Sequence, residues 1–374
     1  MEKRRIASLD AEISLLGFGL MRLPVVDEDT AKIDYPKAQA MVDRAYKAGV
    51  NYFDTGWTYH GNMSEPFAGD TLSKYPRESY YLATKMPTWE KFTSEDDMQR
   101  IFDRQLESCK TSYFDFYMAH GINEDRLGIL QDWIYDFLCK KKAEGTVKRI
   151  GFSFHCKTGT MEEVVKKYKW DFAMIQLNYL DWEIAGAGKL YEILTENKIP
   201  VVIMEPIKGG TLTRLLYNDM LALLKKADPD ASPASWALRF AASLPNAATV
   251  ISGMSELEHV EDNIKTFENF TPLSTEEYRV LDEAAAVYRK SGSIPCTECL
   301  YCIDCPAGVE IPKILLLYNH HLINKIAINF LNQYRTIKKS AQAHNCTGCG
   351  HCEKRCPQKI EIMRYMKEAA DLKP

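Results

Sequence analysis

Four polar or ionisable side chains stand at or near the ends of short apolar runs. Asp54 and Tyr59 lie in Asn-Tyr-Phe-Asp-Thr-Gly-Trp-Thr-Tyr at 51–59, Lys85 closes the run 80–85, and His120 follows 114–119. An ionisable group on a buried strand is costly unless it is paired or used, which makes Asp54 and Lys85 natural partners. An ammonium beside Tyr59 favours phenolate and lowers the tyrosine pKa from about 10, as a proton donor near neutral pH requires. The bland alternative has Asp54 capping a helix, Lys85 snorkelling and His120 as a satisfied core histidine. It needs packing alone to place four such groups at successive strand ends.

A second chemistry is written in thiols. Eight of the eleven cysteines form two tight runs, Cys296-x2-Cys299-x2-Cys302-x2-Cys305-Pro306 and Cys346-x2-Cys349-x2-Cys352-x3-Cys356-Pro357. The second run has the bacterial ferredoxin spacing, in which three close thiolates wrap one [4Fe-4S] cube and the cysteine before proline ligates the other. The sets expected are Cys296, Cys299, Cys302 with Cys356, and Cys346, Cys349, Cys352 with Cys305. The first run has two rather than three residues before Cys305, which leaves its fourth ligand and cluster type open. Structural zinc usually takes separated cysteine pairs, so two [4Fe-4S] clusters are the better reading. Cys109, Cys139 and Cys156 stand apart and read as core or surface thiols.

The elements that must position these groups alternate. An opening hairpin over 4–24 contains Gly17-Phe18-Gly19. Strands then fall at 52–54, 80–85, 114–119, 150–153, 172–177, 201–204 and 249–252. Helices fall at 36–48, 66–74, 94–109, 127–144, 161–168, 190–197, 233–243 and 256–267. The expected fold class is α/β, a (β/α)8 TIM barrel followed by a small, mostly helical ferredoxin-like domain. No Gly-x-Gly-x-x-Gly opens a helix, which weighs against a Rossmann domain. A capping box at Ser274 to Glu277 starts one more helix, running to about Lys290. Ser291-Gly292-Ser293-Ile294-Pro295 then reads as a flexible boundary, giving domains 1–290 and 291–374. Residues 311–342 read as one helix with Ile314, Leu317, His321 and Ile328 on its apolar side.

The order Asp-Thr-x-x-x-Tyr, then strand Lys, then strand His resembles the aldo-keto reductases over roughly the first 290 residues. That resemblance implies catalytic roles for Asp54, Tyr59, Lys85 and His120. It also implies a nicotinamide cradle of Gly19, Met21, Arg22, Ser153, Gln176, Met204, Pro206, Gly210, Ser252, Gly253, Met254, His259 and Asn263. Three positions depart from the family pattern. Phe154 replaces an Asn, with His155 as a substitute or a structural ring. Met204 stands where an aromatic usually stacks on nicotinamide, and a thioether can pack on a ring. Gly253 and His259 occupy positions where NADPH-preferring members place Lys and Arg, so NADH or no strong preference is expected. The cysteine region resembles the helical ferredoxins of succinate dehydrogenase iron–sulfur subunits.

The chain has 374 residues, with Lys+Arg 47 against Asp+Glu 51 and a formal net charge of −4. That balance gives no global case for nucleic acid or an anionic membrane as partner. The start lacks a signal-peptide pattern. The apolar stretch 311–331 is broken by Asn319, His320, His321, Asn324 and Lys325, so no bilayer span is read. A soluble, cytoplasmic protein is expected. No Asp or Glu lies between Glu310 and Glu353, whereas Lys313, Lys325, Arg335, Lys338 and Lys339 do. Those cations offset anionic clusters, are simply solvated, or receive an acidic electron-carrier protein.

The reading that joins these features is an NAD(P)H-dependent oxidoreductase acting on a small-molecule carbonyl or alcohol. Tyr59 protonates the oxygen, Lys85 and Asp54 tune Tyr59, and His120 orients the carbonyl. Clusters move single electrons whereas nicotinamide moves a hydride, so a flavin on this chain or a partner would split the pair. The rival is an electron-transfer protein or subunit whose barrel reduces no free carbonyl.

Overall fold

The structure, a computed structural model, describes residues 1–27, 29–154, 158–214, 218–290, 292–324 and 327–372. Among them ten strands follow in chain order: β1 (Lys3–Ile6), β2 (Ala11–Ser14), β3 (Leu16–Gly19), β4 (Tyr52–Asp54), β5 (Tyr81–Pro87), β6 (Phe114–Ile122), β7 (Val147–Phe154), β8 (Phe172–Gln176), β9 (Val201–Met204) and β10 (Ala247–Gly253). β1 and β2 pair antiparallel as the opening hairpin. The other eight close a parallel barrel in the order β10-β3-β4-β5-β6-β7-β8-β9. Runs such as Val-Val-Ile-Met in β9 are suited to this setting, because strands covered on both faces are apolar almost throughout.

Register brings the strand ends to one mouth. Gly253 pairs with Gly19, Gly19 with Asp54, Pro87 with His120 and Gln176 with Met204. Below the mouth the interior is filled by Tyr52, Phe116, Met118, Phe172, Met174 and Val202, a packed core rather than a pore. The hairpin residues Leu9, Ala11 and Ile13 belong to the same cluster. Arg149 Nε ties the hairpin down by donating to the Leu9 carbonyl at 2.6 Å.

Two compact units divide the chain: Met1–Pro206 with Ser235–Leu273, and Ile207–Ala234 with Ser274–Pro374. The first contains the whole barrel. In the second, helix Thr275–Arg289 starts at the expected capping box, where Ser274 Oγ accepts from Glu277 N–H and Glu277 Oε2 accepts from Ser274 N–H. Helix Asn218–Ala227, which the sequence pattern did not predict, packs against it. A separate core of Ile294, Val309, Ile314, Leu315, Tyr318 and Met366 supports the cysteine loops.

Of the helix expected over 311–342, Ile311–Asn324 and Ala327–Tyr334 are helical. The chain leaves helical geometry after Tyr334 because side chains take over the bonding: Gln342 Nε2 donates to the Ile337 carbonyl at 3.0 Å, and Tyr334 Oη accepts from Ala343 N–H at 2.8 Å. Ile314 and Leu317 are buried as expected, whereas Ile328 is 49% exposed. The expected boundary is held at Ile294, whose N–H donates to Asn319 Oδ1 and whose carbonyl accepts from Asn319 Nδ2. Ser291, Lys325, His155 and Cys156 lie outside the described residues. Among the described residues no helix is long and apolar enough to cross a membrane.

Candidate active site and thiol hollows

At the barrel mouth Lys85 Nζ donates to Asp54 Oδ1 at 2.7 Å and to the Thr55 carbonyl at 2.5 Å. Both charged side chains are almost fully covered. The same ammonium lies 4.9 Å from the centre of the Tyr59 ring. His120 meets that ring edge-on, with centroids 5.9 Å apart. Burial pushes the Asp54 carboxyl up, and the Lys85 ammonium pulls against that shift. Asp54 Oδ2 has no hydrogen-bond partner among the described residues, so the Lys85 contact carries the compensation for its burial. The four residues singled out in sequence are thus brought into one cluster.

The remaining candidates are distributed around the mouth. Ser153 Oγ accepts from Gly121 N–H at 2.6 Å, and Gln176 Nε2 donates to Asp181 Oδ2 at 2.7 Å. A carboxylate only accepts, so this contact sets which way the Gln176 amide is turned. Phe154 is buried and Met204 half-buried. Arg22 forms an ion pair with Glu205 at 3.4 Å, and a Cβ at Gly253 would lie 3.1 Å from the Arg22 side chain. Ser255 Oγ donates to the Arg22 carbonyl. Asn263 Nδ2 donates to Ser252 Oγ at 3.0 Å, while His259 is exposed and accepts from Ser255 N–H at 3.4 Å. Met254 and Pro206 are buried, Gly19 ends β3, and Met21 is half-buried just beyond it. Gly210 belongs to the second unit.

In that second unit the eight clustered cysteines separate into two hollows. Cys296, Cys299, Cys302 and Cys356 line one, and Cys305, Cys346, Cys349 and Cys352 line the other. The cysteine before each proline therefore crosses to the other run's trio. Among the described residues no three His, Cys, Asp or Glu side chains converge to hold a single metal ion. Thiols spread around a hollow suit a multi-iron cube better than one tetrahedral ion. Burial pushes the Cys296 thiol up to about 12 and that of Cys352 up to about 11, so bound iron would have to displace those protons. Cys109 is buried and Cys139 half-buried.

The aldo/keto reductase family profile matches residues 15–286. The chain belongs to the aldo/keto reductase family. A 4Fe-4S dicluster domain profile matches residues 295–361, so the oxidoreductase barrel is followed by an iron–sulfur domain. An uncharacterised oxidoreductase of Bacillus subtilis is 26% identical over 312 residues, covering 75% of this chain and 95% of that protein. The L-galactose dehydrogenase of Arabidopsis thaliana is 24% identical, covering 77% of this chain and 94% of that protein. The NADH-specific methylglyoxal reductase of Escherichia coli is 24% identical, covering 59% and 71%. The holo form of an aldo-keto reductase from Bacillus halodurans superposes with a TM-score of 0.64 at 26% identity, over 76% of this chain and 96% of that one.

Sequence reasoning missed the supports of this aldo/keto reductase mouth. Trp89 packs on the His120 ring at 4.8 Å, and Thr88 Oγ1 donates to the His120 carbonyl at 2.6 Å. Behind Lys85, the buried Glu65 accepts from Thr84 Oγ1 at 2.5 Å and Gln105 Nε2 at 2.7 Å. The same Gln105 nitrogen reaches the Lys85 carbonyl at 3.0 Å. Burial pushes the Glu65 carboxyl up to about 7. Ser64-Glu65 opens a helix whose face is buried almost throughout, and a Glu on such a face is the signal that could have drawn attention to it. Asn178 was equally legible as an Asx turn: its Oδ1 accepts from Asp181 N–H and its Nδ2 donates to the Asp181 carboxylate that holds Gln176.

Proposed function

We propose that this chain reduces a small-molecule carbonyl with NAD(P)H, or oxidises the corresponding alcohol, and holds two [4Fe-4S] clusters. The observation that carries the reading is the placing of Lys85 Nζ against both Asp54 and the Tyr59 ring, with His120 on the same ring. NAD(P)H supplies the hydride when bound. Tyr59 gives the carbonyl oxygen its proton, Lys85, held in place by Asp54, makes that phenol more acidic, and His120 orients and polarises the carbonyl. The named activities of the Escherichia coli and Arabidopsis relatives support a small carbonyl or alcohol as substrate.

Ser153 and Gln176 would hold the nicotinamide carboxamide, and Ser252, Gly253 and Met254 the phosphates ahead of helix Leu257–Glu268. Exposed Glu256 and Glu258 stand at that helix start, carboxylates that a further phosphate would have to approach. This supports use of NADH at least as well as NADPH. The donor sets of the two hollows fit one cluster each, and the two profile matches support a barrel over 1–290 and a cluster domain over 291–374. A flavin on this chain or a partner would divide hydride into single electrons, and an electron-carrier protein would exchange them.

The buried Phe154 and the half-buried Met204 favour the second reading, an electron-transfer subunit that reduces no free carbonyl. Tyr59→Phe separates the two. Carbonyl turnover is expected to fall almost to nothing while the visible cluster spectrum is kept. Unchanged turnover would remove Tyr59 as the proton donor.

A further inference from the structure

The two cysteine trios sit in near-repeats, Cys296-Thr297-Glu298-Cys299-Leu300-Tyr301-Cys302 and Cys346-Thr347-Gly348-Cys349-Gly350-His351-Cys352. Their surroundings differ. Thr297 is 2% exposed, and its carbonyl closes on Gly209 of the same unit so tightly that a Cβ there would overlap it. Thr347, Gly348 and Cys349, at the corresponding turn of the other loop, are all exposed. At this turn the first loop is covered at Thr297 and half-exposed at Glu298 and Cys299, whereas the second opens to solvent at all three positions.

Charge follows the open set. Lys338, Lys339, Lys354 and Arg355 are exposed, as are His344 and His351. Lys339 is held beside the open loop because its carbonyl accepts from Asn345 Nδ2 at 2.7 Å, one residue before Cys346. Lys354 and Arg355 end the short helix that carries Cys352. Two acids on the same stretch are engaged: Asp304 pairs with Arg355 at 2.9 Å, and Glu353 accepts from Met363 N–H at 2.9 Å. No Lys or Arg lines either hollow, so these cations face outward instead of neutralising a cluster from within.

We propose that the open loop at Thr347, Gly348 and Cys349, rimmed by Lys338, Lys339 and Lys354, is the docking face for an acidic one-electron carrier protein. This rests on the reading above that the hollows hold [4Fe-4S] clusters. The exchange is one electron from the reduced cluster held by Cys305, Cys346, Cys349 and Cys352 to the oxidised carrier, or the reverse. No bond or proton moves. Positive charge around an exposed redox edge attracts an acidic partner and speeds encounter, with an effect that salt screens.

The test is binding of the anaerobic holoprotein to an acidic two-cluster bacterial ferredoxin, with the basic protein cytochrome c as opposite-charge control, by titration calorimetry at low and high salt. Ferredoxin is expected to bind in a salt-sensitive way. The triple variant Lys338→Glu, Lys339→Glu, Lys354→Glu is expected to weaken it about tenfold or more, with iron, labile sulfide and visible spectrum unchanged. The milder Lys→Gln triple should shift affinity the same way by less. Ferredoxin binding that is absent, indifferent to these changes, or weaker than that of cytochrome c overturns the docking face. A holoprotein lacking iron and labile sulfide overturns the cluster reading itself.

Discussion

The barrel mouth and the thiol hollows assemble their groups in opposite ways. At the mouth each reactive side chain comes from a different strand or the loop after it: Asp54 from β4, Tyr59 just beyond it, Lys85 from β5 and His120 from β6. Their meeting depends on long-range register, and their charges balance one another inside a low-dielectric site. In the hollows three ligands of each set come from seven consecutive residues, and a single remote cysteine completes the set. A site made of distant strands is rigid but vulnerable at every member. A site made of a loop is local and depends on backbone geometry. Glu298 and Leu300 hold left-handed conformations at φ 52° and 66°, where the second loop uses Gly348 and Gly350 at 69° and 72°.

The sharpest way to break this contrast is Lys85→Met. It leaves Asp54 buried without its cation, and loss of one partner of a buried pair costs about 3–5 kcal/mol. Denaturant unfolding of the barrel at pH 8 should show the loss while cluster absorbance survives. An equal loss of clusters would mean that the two sites are not energetically separate.

A smaller effect comes from Glu65→Gln. The folded carboxyl is raised from 4.5 to about 7, so the folded state binds the proton more tightly than the unfolded chain does. Stability is therefore highest below about 4.3, declines as pH rises to about 7, and is level above. Gln keeps an oxygen to accept from Thr84 and Gln105 and cannot ionise. Relative to the native protein, the variant should gain on the order of 3 kcal/mol on going from pH 4.5 to pH 8, read from unfolding curves at both pH values. Parallel curves would place this burial cost elsewhere.

Local in its effect is Asn319→Leu, which strips both side-chain partners from the Ile294 peptide ahead of Cys296. Unpaired buried groups cost about 1–3 kcal/mol each. The expected outcome is faster loss of the cluster proposed for Cys296, Cys299, Cys302 and Cys356, followed by its spectroscopic signal, with the other proposed cluster retained. Gly350→Ala should have the least effect. Nothing lies within 4 Å of the added Cβ, so only the left-handed backbone penalty of about 1–2 kcal/mol remains, felt in the loop that carries Cys346, Cys349 and Cys352.

Much of the fold was legible because its signals are local. Val201 to Met204 is a strand as read, and the Ser274 capping box forms as its spacing requires. The helices around the barrel start and end close to where apolar periodicity placed them. Reading failed where bonding is made by side chains from elsewhere, as at Gln342 and Tyr334, which end a helix that periodicity would have continued.

By itself the sequence determined the chemistry available: a carboxylate, a phenol, an ammonium and an imidazole at successive strand ends, and eight thiols in ferredoxin-like steps. Composition and spacing are enough for that, because residue type limits what a site can do. Tertiary structure alone decided what surrounds these groups. It turned Glu65 and Gln105 in behind Lys85 and set Asp181 against Gln176. It also covered Thr297 and left Thr347 exposed. Near-identical seven-residue motifs carry no information about their own burial. Burial comes from the elements packed against them, which lie far away in the chain.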